Sequence, residues 1–265
     1  MLRWTWPRDA RIAPTWHGRG RNLPSGFKTF DILQDSDTLA DVVNEVDVVL
    51  SLAGSTPTSS GDLRDTVPLA RAVLAATTGK TPLLIASSAA VYGRAPGLCR
   101  EGDTVVPVNA YGTEKLAMER VCHAQGGPVT CLRIGNVAGA DQILGRVTAN
   151  ATPLTLDRFD DGSTPARSYI GPGELARILA DLCLAAGRGI ALPPILNVTA
   201  PGAAEMGALL DAVPHPWTPR PAPKDAIREV LLDTTLLGRF TPLDPEAGSA
   251  ERIVADWKSY QEAKT

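Results

Sequence analysis

A tyrosine and a lysine separated by three residues form the clearest chemical pattern in the sequence. Tyr111-Gly-Thr-Glu-Lys115 lies at the predicted start of a helix, where residues four apart share a face. An ammonium group beside a phenol favours the phenolate and lowers a pKa that starts at about 10. Tyr111 could then act as an acid or base at neutral pH. The spacing alone is not specific, because Tyr260-Gln-Glu-Ala-Lys264 repeats it where a solvated helix face is the simpler interpretation.

A serine-rich segment distinguishes Tyr111 from Tyr260. A predicted strand over residues 83–88 runs into Ser87-Ser-Ala-Ala-Val-Tyr-Gly93, and parallel α/β sheets place their sites at the carboxyl ends of strands. The Ser88 hydroxyl can hydrogen-bond the substrate oxygen that the tyrosine protonates, or the serine simply ends the strand. Beside Tyr111 and Lys115, it favours an acid/base site.

These residues belong to a regular alternation of predicted strands and helices. Short runs of β-branched and other apolar residues predict strands, and capped segments of helical spacing predict helices. The strands are expected over residues 46–52, 83–88 and 129–134, and the helices over residues 37–45, 62–78 and 111–124. Continuous apolar strands alternating with helices are typical of a parallel sheet covered on both faces. We therefore predict an α/β fold with a doubly wound parallel sheet.

The pattern changes after residue 140. The elements predicted there are shorter: strands over residues 153–159 and 195–198, and helices over residues 173–186, 203–212 and 249–261. Residues 214–223 are rich in proline and are expected to form a connector. We predict a larger domain over residues 1–140 and a smaller lobe over residues 141–265.

Composition excludes several classes of function. The 265 residues carry 26 basic and 29 acidic side chains, and no basic run of five or more, which argues against nucleic acid as a partner. The cysteines are scattered at Cys99, Cys122, Cys131 and Cys183, which suggests neither a disulfide framework nor a metal site. No stretch approaches the ~18 apolar residues of a membrane span, and no signal peptide is recognisable. We expect a cytoplasmic protein that acts on a small molecule, without membrane contact.

A series of segments, in order along the chain, resembles the extended short-chain dehydrogenases/reductases, the NAD-dependent epimerase/dehydratase family. The segments are Phe30-Asp-Ile32, Leu50-Ser-Leu-Ala-Gly54, Ser87-Ser-Ala-Ala-Val-Tyr-Gly93, Asn109-Ala-Tyr-Gly-Thr-Glu-Lys115, Leu132-Arg-Ile-Gly-Asn-Val-Ala-Gly139 and Gly162-Ser-Thr-Pro-Ala-Arg-Ser-Tyr-Ile170. Each match alone is weak, but the ordered set is specific. The resemblance implies a Rossmann-like dinucleotide-binding domain over residues 1–140 and a substrate-binding lobe over residues 141–265.

The resemblance also implies roles for individual residues. Tyr111 would be the general acid/base, Lys115 would lower its pKa and hold the nicotinamide ribose, and Ser88 would orient the substrate oxygen. Besides Tyr111 and Lys115, the expected contacts to NAD or NADP are Arg19, Asp31, Ile32, Leu52, Ala53, Gly54 and Ser87.

Two further residues would contact the substrate. Asn136 follows a predicted strand, and Arg167 carries a guanidinium that can fork onto diphosphate oxygens. The alternatives are a turn asparagine and a surface arginine. The family commonly has an aspartate and a histidine after this arginine, whereas Ser168 and Gly171 stand in those places here. A standard nucleotide-sugar pocket is therefore in doubt.

The activity implied is that of an NAD(P)-dependent epimerase, dehydratase or reductase. Its substrate would be a sugar nucleotide or a similar hydroxyl or carbonyl compound, with hydride transfer between a substrate carbon and the nicotinamide. Relatives pair through helices like those predicted over residues 62–78 and 111–124, so the resemblance also implies a homodimer.

The beginning of the chain departs from the family, which opens with a strand and a glycine-rich turn. Gly18 and Gly20 are two apart, but position 23 is Leu23 and no helix is predicted there. If residues 11–17 form the family's second strand, that strand ends near Arg19 and Arg21, which could accommodate the 2′-phosphate of NADP. On this alignment a first strand, its turn and most of one helix are missing.

Two explanations of this departure stay open. Met1 is a misplaced start of a complete enzyme, or the chain is whole, binds NAD(P) poorly and serves as a non-catalytic ligand-sensing or interaction protein on a degenerate fold. Trp4 and Trp6 are expected to be exposed for lack of a packing partner, or to cover the gap.

Overall fold

The computed structural model describes residues 1–6, 9–19, 23–55, 62–95, 97–147 and 152–264. The helices are α1 (Leu2–Thr5), α2 (Ser36–Asn44), α3 (Thr66–Thr77), α4 (Ala110–Gln125), α5 (Pro172–Gly187), α6 (Met206–Ala212) and α7 (Ala250–Lys264). The strands are β1 (Trp16–His17), β2 (Phe27–Lys28), β3 (Val49–Ser51), β4 (Leu83–Ser88), β5 (Leu98–Cys99), β6 (Val129–Ile134), β7 (Asn136–Val137), β8 (Leu154–Arg158), β9 (Ala166–Arg167), β10 (Tyr169–Ile170), β11 (Ile195–Val198), β12 (Ala204–Glu205), β13 (Trp217–Pro221) and β14 (Glu229–Leu232).

A four-stranded parallel sheet lies at the centre of the fold, in the order β11-β6-β4-β3. Alternate residues of its strands face opposite layers, as the period of two requires. Leu84 packs with α5 on one face, whereas Leu83 and Ile85 pack with α3 and α4 on the other. The predicted α/β fold with a doubly wound parallel sheet is confirmed.

Two elements from beyond residue 140 help to build this sheet layer. Strand β11 pairs with β6 along its whole length, and α5 covers the face that carries Leu84 and Leu132. Strand 195–198 was predicted as part of the smaller lobe, because its sequence does not show which strand it pairs with. The division at residue 140 stays a prediction, and the sheet draws on both sides of it.

The first strand lies outside the central sheet. The family alignment considers residues 11–17 as a strand of the sheet, but β1 spans only Trp16 and His17 and pairs in parallel with β2. Pro14 has no N–H to donate to a ladder, which accounts for the shorter strand. A groove of about 970 Å³ is lined by β1 and by β3, the edge strand of the central sheet.

The tryptophans at the start of the chain pack against the body of the molecule. Trp6 is buried, and its indole Nε1 donates to the Ala176 carbonyl of α5 at 2.8 Å. Its ring lies 5.7 Å from that of Trp16, which stacks on Phe27 at 5.9 Å. The expectation that Trp6 is exposed is therefore wrong, and Trp6 instead lines the groove. Trp4 is half-buried.

The remaining strands form small sheets beside the central one, in the orders β12-β9-β14-β5, β13-β8 and β10-β7. The proline-rich segment 214–223 was expected to be a connector, but it contains β13, which pairs in parallel with β8. This strand tolerates Pro219 and Pro221 because only one of its edges is paired in that two-stranded sheet. Among the described residues, no helix combines the length and apolar character needed to cross a membrane.

Candidate functional site

The predicted catalytic residues lie where the carboxyl end of β4 meets the amino end of α4. Ser88 is the last residue of β4, and Tyr111 and Lys115 occupy the first turns of α4. The Asn109 side chain caps this helix by accepting the Gly112 N–H at 2.8 Å. A side chain at Gly112 would place its Cβ 2.5 Å from the Ala90 carbonyl oxygen, so glycine permits the helix to approach the turn after β4. Local packing therefore brings the three residues together.

Lys115 is buried, with a side chain that crosses from α4 to the sheet. It is 4% exposed, and its Nζ donates to the Ala86 carbonyl at 2.7 Å. The same nitrogen lies 5.9 Å from the centre of the Tyr111 ring. Burial lowers the pKa of Lys115 because it disfavours the ammonium, while nearby Cys131 and Glu119 act in the opposite direction. The ammonium is thus held by a carbonyl in a largely dry setting.

The Tyr111 phenol differs from the sequence-based expectation. Burial raises the pKa of Tyr111 above its usual value, and an interaction with the Ser88 side chain opposes only part of that rise. The predicted lowering by Lys115 is therefore wrong for the chain by itself, because desolvation outweighs a charge that lies several ångströms away. Tyr111 holds its proton at neutral pH, which is the form required of a general acid.

The groove beside β3 gathers most of the predicted cofactor contacts. Its lining includes Arg19, Asp31, Ile32, Leu52, Ala53 and Gly54. Asp31 is half-buried, and its carboxylate accepts the Leu33 N–H at 2.9 Å. Arg19 is exposed, while Arg21, the other arginine considered for a 2′-phosphate, lies outside the described residues.

Gly54 joins the groove to the catalytic residues. Its φ of +146° is a backbone conformation that side chains rarely adopt, and a Cβ built there would lie 3.6 Å from the Lys115 Nζ. Lys115 therefore adjoins Gly54 of the groove lining, although its own side chain is not part of that lining. The geometry connects the two predicted sets of residues.

The Ser87 hydroxyl binds a residue of α4 and not the groove. It donates to the Glu119 carboxylate at 2.5 Å, and Glu119 also accepts two hydrogen bonds from Arg133. The Ser87 side chain is thus committed to α4 and does not face the groove, which corrects the predicted cofactor contact for this hydroxyl. Sequence reasoning missed Glu119 and Arg133, although a charged residue inside the apolar run of β6 was a usable signal.

The two predicted substrate residues come from neighbouring segments. Asn136 pairs with Tyr169 in the β7–β10 ladder, two residues beyond Arg167. The Arg167 guanidinium donates to the carbonyls of Ala166, Ile227 and Arg228, at distances of 2.7 to 3.2 Å. Burial lowers the pKa of Arg167. In the described part of the chain no carboxylate forms an ion pair with Arg167, so its charge is balanced only by carbonyl dipoles.

A model of the NAD dependent epimerase/dehydratase family matches residues 8–179, which is more than half of the chain. The chain belongs to this family. Membership confirms the expectation of an NAD-dependent enzyme of the epimerase/dehydratase class, derived from the ordered segments around Ser88, Tyr111 and Lys115.

One curated relative of this family member is a UDP-glucose 4-epimerase of Halalkalibacterium halodurans. It is 38% identical over 76 residues, which is 27% of this chain and 22% of the relative. The aligned part therefore spans only a fraction of that protein's length.

Solved structures resemble the whole fold. A putative epimerase from Burkholderia cenocepacia superposes with a TM-score of 0.75 at 19% identity, covering 97% of this chain and 94% of that one. A UDP-glucose 4-epimerase from Brucella ovis in complex with NAD gives 0.71 at 20% identity, with 88% and 84% covered. A UDP-glucuronic acid 4-epimerase from Bacillus cereus, with UDP-glucuronic acid and NAD, gives 0.68 at 20% identity, with 90% and 83% covered. At these identities the likeness concerns the fold.

The family is NAD-dependent, and the groove beside β3 is the candidate site for that dinucleotide. Its volume of about 970 Å³ lies within the range of roughly 300–1,000 Å³ that small-molecule sites occupy. Asp31 in its lining offers a carboxylate as an acceptor for hydroxyl groups, and Lys115 next to Gly54 offers a donor. The described residues therefore include an acceptor and a donor of the kinds that a dinucleotide needs. The glycine-rich turn that would bind its pyrophosphate has no counterpart in the 265 residues.

Proposed function

We propose that the chain is an NAD-dependent epimerase, dehydratase or reductase that acts on a sugar nucleotide by acid/base chemistry at Tyr111. The observation that carries the proposal is the grouping of Ser88, Tyr111 and Lys115 at the end of β4, with the Lys115 Nζ next to Gly54 of the groove lining. A spacing motif on an isolated helix would not provide that connection.

Each catalytic residue has a defined task in this proposal. Bound NAD would supply the hydride acceptor and donor. The Tyr111 Oη exchanges a proton with the substrate oxygen, and the Ser88 hydroxyl hydrogen-bonds the same oxygen. Lys115 donates hydrogen bonds in the groove, and its ammonium favours the phenolate once the remaining water is displaced.

A sugar nucleotide is the favoured substrate class for two reasons. The Brucella ovis and Bacillus cereus structures are of epimerases named for UDP-sugars. In this chain, Arg167 presents a half-buried guanidinium with carbonyl partners, and it keeps N–H groups for an anion such as a diphosphate. Asn136, on the adjoining strand, would contact the sugar or its hydroxyls.

Cofactor titration tests the proposal. Purified chain is titrated with NADH and with NADPH, and intrinsic tryptophan fluorescence and thermal unfolding are recorded. We expect saturable binding of NADH, because Trp6 and Trp16 line the groove and would report its occupation. UDP-glucose and UDP-glucuronic acid are then supplied with NAD, and product formation is followed. Saturable NADH binding without turnover of any sugar nucleotide would contradict the substrate assignment.

A ligand-sensing or interaction protein is the second candidate. The observation in its favour is that β1 and β3 belong to separate sheets with a groove between them, and that no glycine-rich turn bridges them among the residues that the structure describes. This candidate predicts that neither NADH nor NADPH binds saturably. The same titration therefore separates the two functions.

We infer in addition that two copies of the chain pair through α3 and α4. These helices pack side by side on one face of the sheet, and the outer side of α3 carries exposed or half-exposed small residues at Ala72, Ala75 and Ala76. Small side chains allow helices of two copies to approach closely. Light scattering of the purified chain would measure the assembly.

A further inference from the structure

Three buried polar side chains connect β4, α4 and β6 directly behind the candidate catalytic residues. Ser87 and Arg133 are paired in the β4–β6 register, and Glu119 projects between them from α4. Glu119 accepts the Ser87 hydroxyl at 2.5 Å and the Arg133 Nε and Nη2 at 3.0 and 2.8 Å. Ser87, Glu119 and Arg133 are each at most 4% exposed as residues.

The surroundings hold Arg133 in place from its other side. Its guanidinium lies 4.7 Å from the centre of the Tyr92 ring, and its Nη1 donates to the Glu101 carbonyl at 3.2 Å. The Tyr92 hydroxyl in turn donates to the Asn197 side chain of β11 at 2.8 Å. The carboxylate of Glu119 is therefore held from two sides, by a forked ion pair and by a hydroxyl.

This cluster is adjacent to the catalytic residues in sequence and in space. Ser87 precedes Ser88, and Glu119 lies one helical turn beyond Lys115 on the same side of α4. The Lys115 Nζ has the Ala86 carbonyl as its hydrogen-bond acceptor, next to Ser87 in β4. A shift of α4 along the sheet would break the Glu119 contacts and displace Tyr111 and Lys115 together.

We propose that Glu119 is a positioning residue, which fixes α4 against the end of β4 through Ser87 and Arg133 and supplies a negative charge beside the buried Lys115 ammonium. The proposal rests on the proposed function to the extent that Lys115 and Tyr111 act in catalysis. Glu119 itself touches no reacting atom.

The charge on Lys115 depends on few groups. Its own helix contributes Tyr111 and Glu119, and β6 contributes the Cys131 thiol and, behind Glu119, Arg133. The turn and helix packed against α4 carry Asp65, which is half-buried, and Arg64 and Arg71, which are exposed. Glu119 is the buried carboxylate in this set, and its removal should weaken the charged form of Lys115.

The test is a direct titration of Lys115. The chain is labelled with ¹³C at lysine Cε, and the Lys115 signal is identified by its loss in Lys115→Met. We expect Glu119→Gln to lower the pKa of Lys115 by about one unit. In turnover assays, kcat should fall about tenfold with little change in KM, and the alkaline limb of the pH profile should move to lower pH.

A second variant separates the effect of Glu119 on Lys115 from a general loss of stability. Glu119→Gln leaves Arg133 as an unpaired buried cation, which is strongly destabilising. In Glu119→Gln with Arg133→Met the unpaired cation is removed, so thermal stability should recover. We expect the Lys115 pKa to remain lowered, by a smaller amount, and kcat to remain low. If the Lys115 pKa and kcat both return to their original values together with thermal stability, the positioning role is overturned.

Asp256→Asn is the matched control. The Asp256 carboxylate accepts the Gly173 and Glu174 N–H groups at 2.9 Å, so its loss weakens the fold without touching Lys115. We expect a lower unfolding temperature and an unchanged Lys115 pKa. An unchanged Lys115 pKa in both Glu119 variants refutes the proposal. If the unmodified chain turns over no sugar nucleotide, the proposed function fails, while a shifted Lys115 signal still supports the role of Glu119.

Discussion

At the scale of single residues, burial sets the state of the candidate catalytic pair. Burial raises the pKa of Tyr111 and lowers that of Lys115, so both groups are displaced towards their neutral forms. The two charges would stabilise one another if a ligand excluded water, since the interaction strengthens as the local dielectric constant falls. Tyr111 therefore stays protonated until a ligand is bound.

Replacement of Tyr111 tests the acid/base role. Tyr111→Phe removes the hydroxyl and preserves the ring, so turnover should fall at least about 10²-fold while unfolding temperature changes little. Tyr260→Phe is the matched control, because Tyr260 stands in the other Tyr-x-x-x-Lys sequence on α7. Steady-state kinetics of both variants give the comparison. Full activity in Tyr111→Phe would rule out the assignment.

Replacement of Lys115 tests how much the burial of its ammonium group lowers the free energy of unfolding. Between the lowered pKa of the folded chain and the usual lysine pKa, the unfolded chain binds more protons, so stability rises with pH in that window and the penalty is largest below it. Lys115→Met should therefore leave the free energy of unfolding at pH 7 unchanged or raise it by up to about 2 kcal/mol, while turnover is lost. Urea unfolding of this variant and of the exposed Lys258→Met measures the difference. A clear loss of stability in Lys115→Met alone would contradict the prediction.

At the scale of elements, the groove depends on the chain turn after β3. Gly54 has a φ of +146°, and a Cβ built there would lie 3.6 Å from the Lys115 Nζ. Edge strand β3 and the separate strand β1 both line the groove. A side chain at Gly54 would strain the turn and occupy space next to Lys115.

Gly54→Ala should therefore weaken NADH binding. We expect an increase in Kd of about tenfold, corresponding to about 1.4 kcal/mol, measured by fluorescence titration. Gly202→Ala provides the control, since Gly202 also has a positive φ, of +90°, but no atom lies within 4 Å of the place that its Cβ would take. Equal NADH binding by the two variants would show that the turn at Gly54 has no specific role in the binding of NADH.

The elements around the site could be predicted from the sequence because their signals are local. β4 and β6 occupy the predicted residues 83–88 and 129–134, since each is a continuous apolar run that ends at polar or glycine residues. The strand β13 could not be predicted in the same way. Its prolines indicate an irregular segment, and only its pairing with β8 makes it a strand.

Long-range contacts account for what the sequence left open in the site. Ser87 and Glu119 are 32 residues apart, and the hydrogen bond between them follows from the packing of α4 on β4. The sign of the Tyr111 pKa shift was missed for a similar reason, because the spacing shows a charge four residues away but not the degree of burial. Ser88, Tyr111 and Lys115 were found because each belongs to a short recognisable segment.

At the scale of the whole molecule, the two ends of the chain pack on the same helix. α1 and α7 both contact α5, and the Asp256 carboxylate of α7 accepts the N–H groups that open α5. Trp6 fixes α1 to α5 through its bond to Ala176. The face of the sheet that carries Leu84 is thereby covered by α5, α1 and α7 of the same chain. On the opposite face, α3 keeps small residues that are exposed to solvent.

The exposed side of α3 should therefore be the surface that pairs two copies. We expect light scattering to give twice the 27.9 kDa of one chain at micromolar concentration. Ala75→Arg places a long cation on the exposed side of α3 and should return the mass to that of one chain, because two such cations would meet across a symmetric interface. Ala255→Arg, at an exposed position of α7, is the matched control and should leave the mass unchanged. A single-chain mass before substitution, or an unchanged dimer in Ala75→Arg with its circular dichroism preserved, would show that α3 is not the contact.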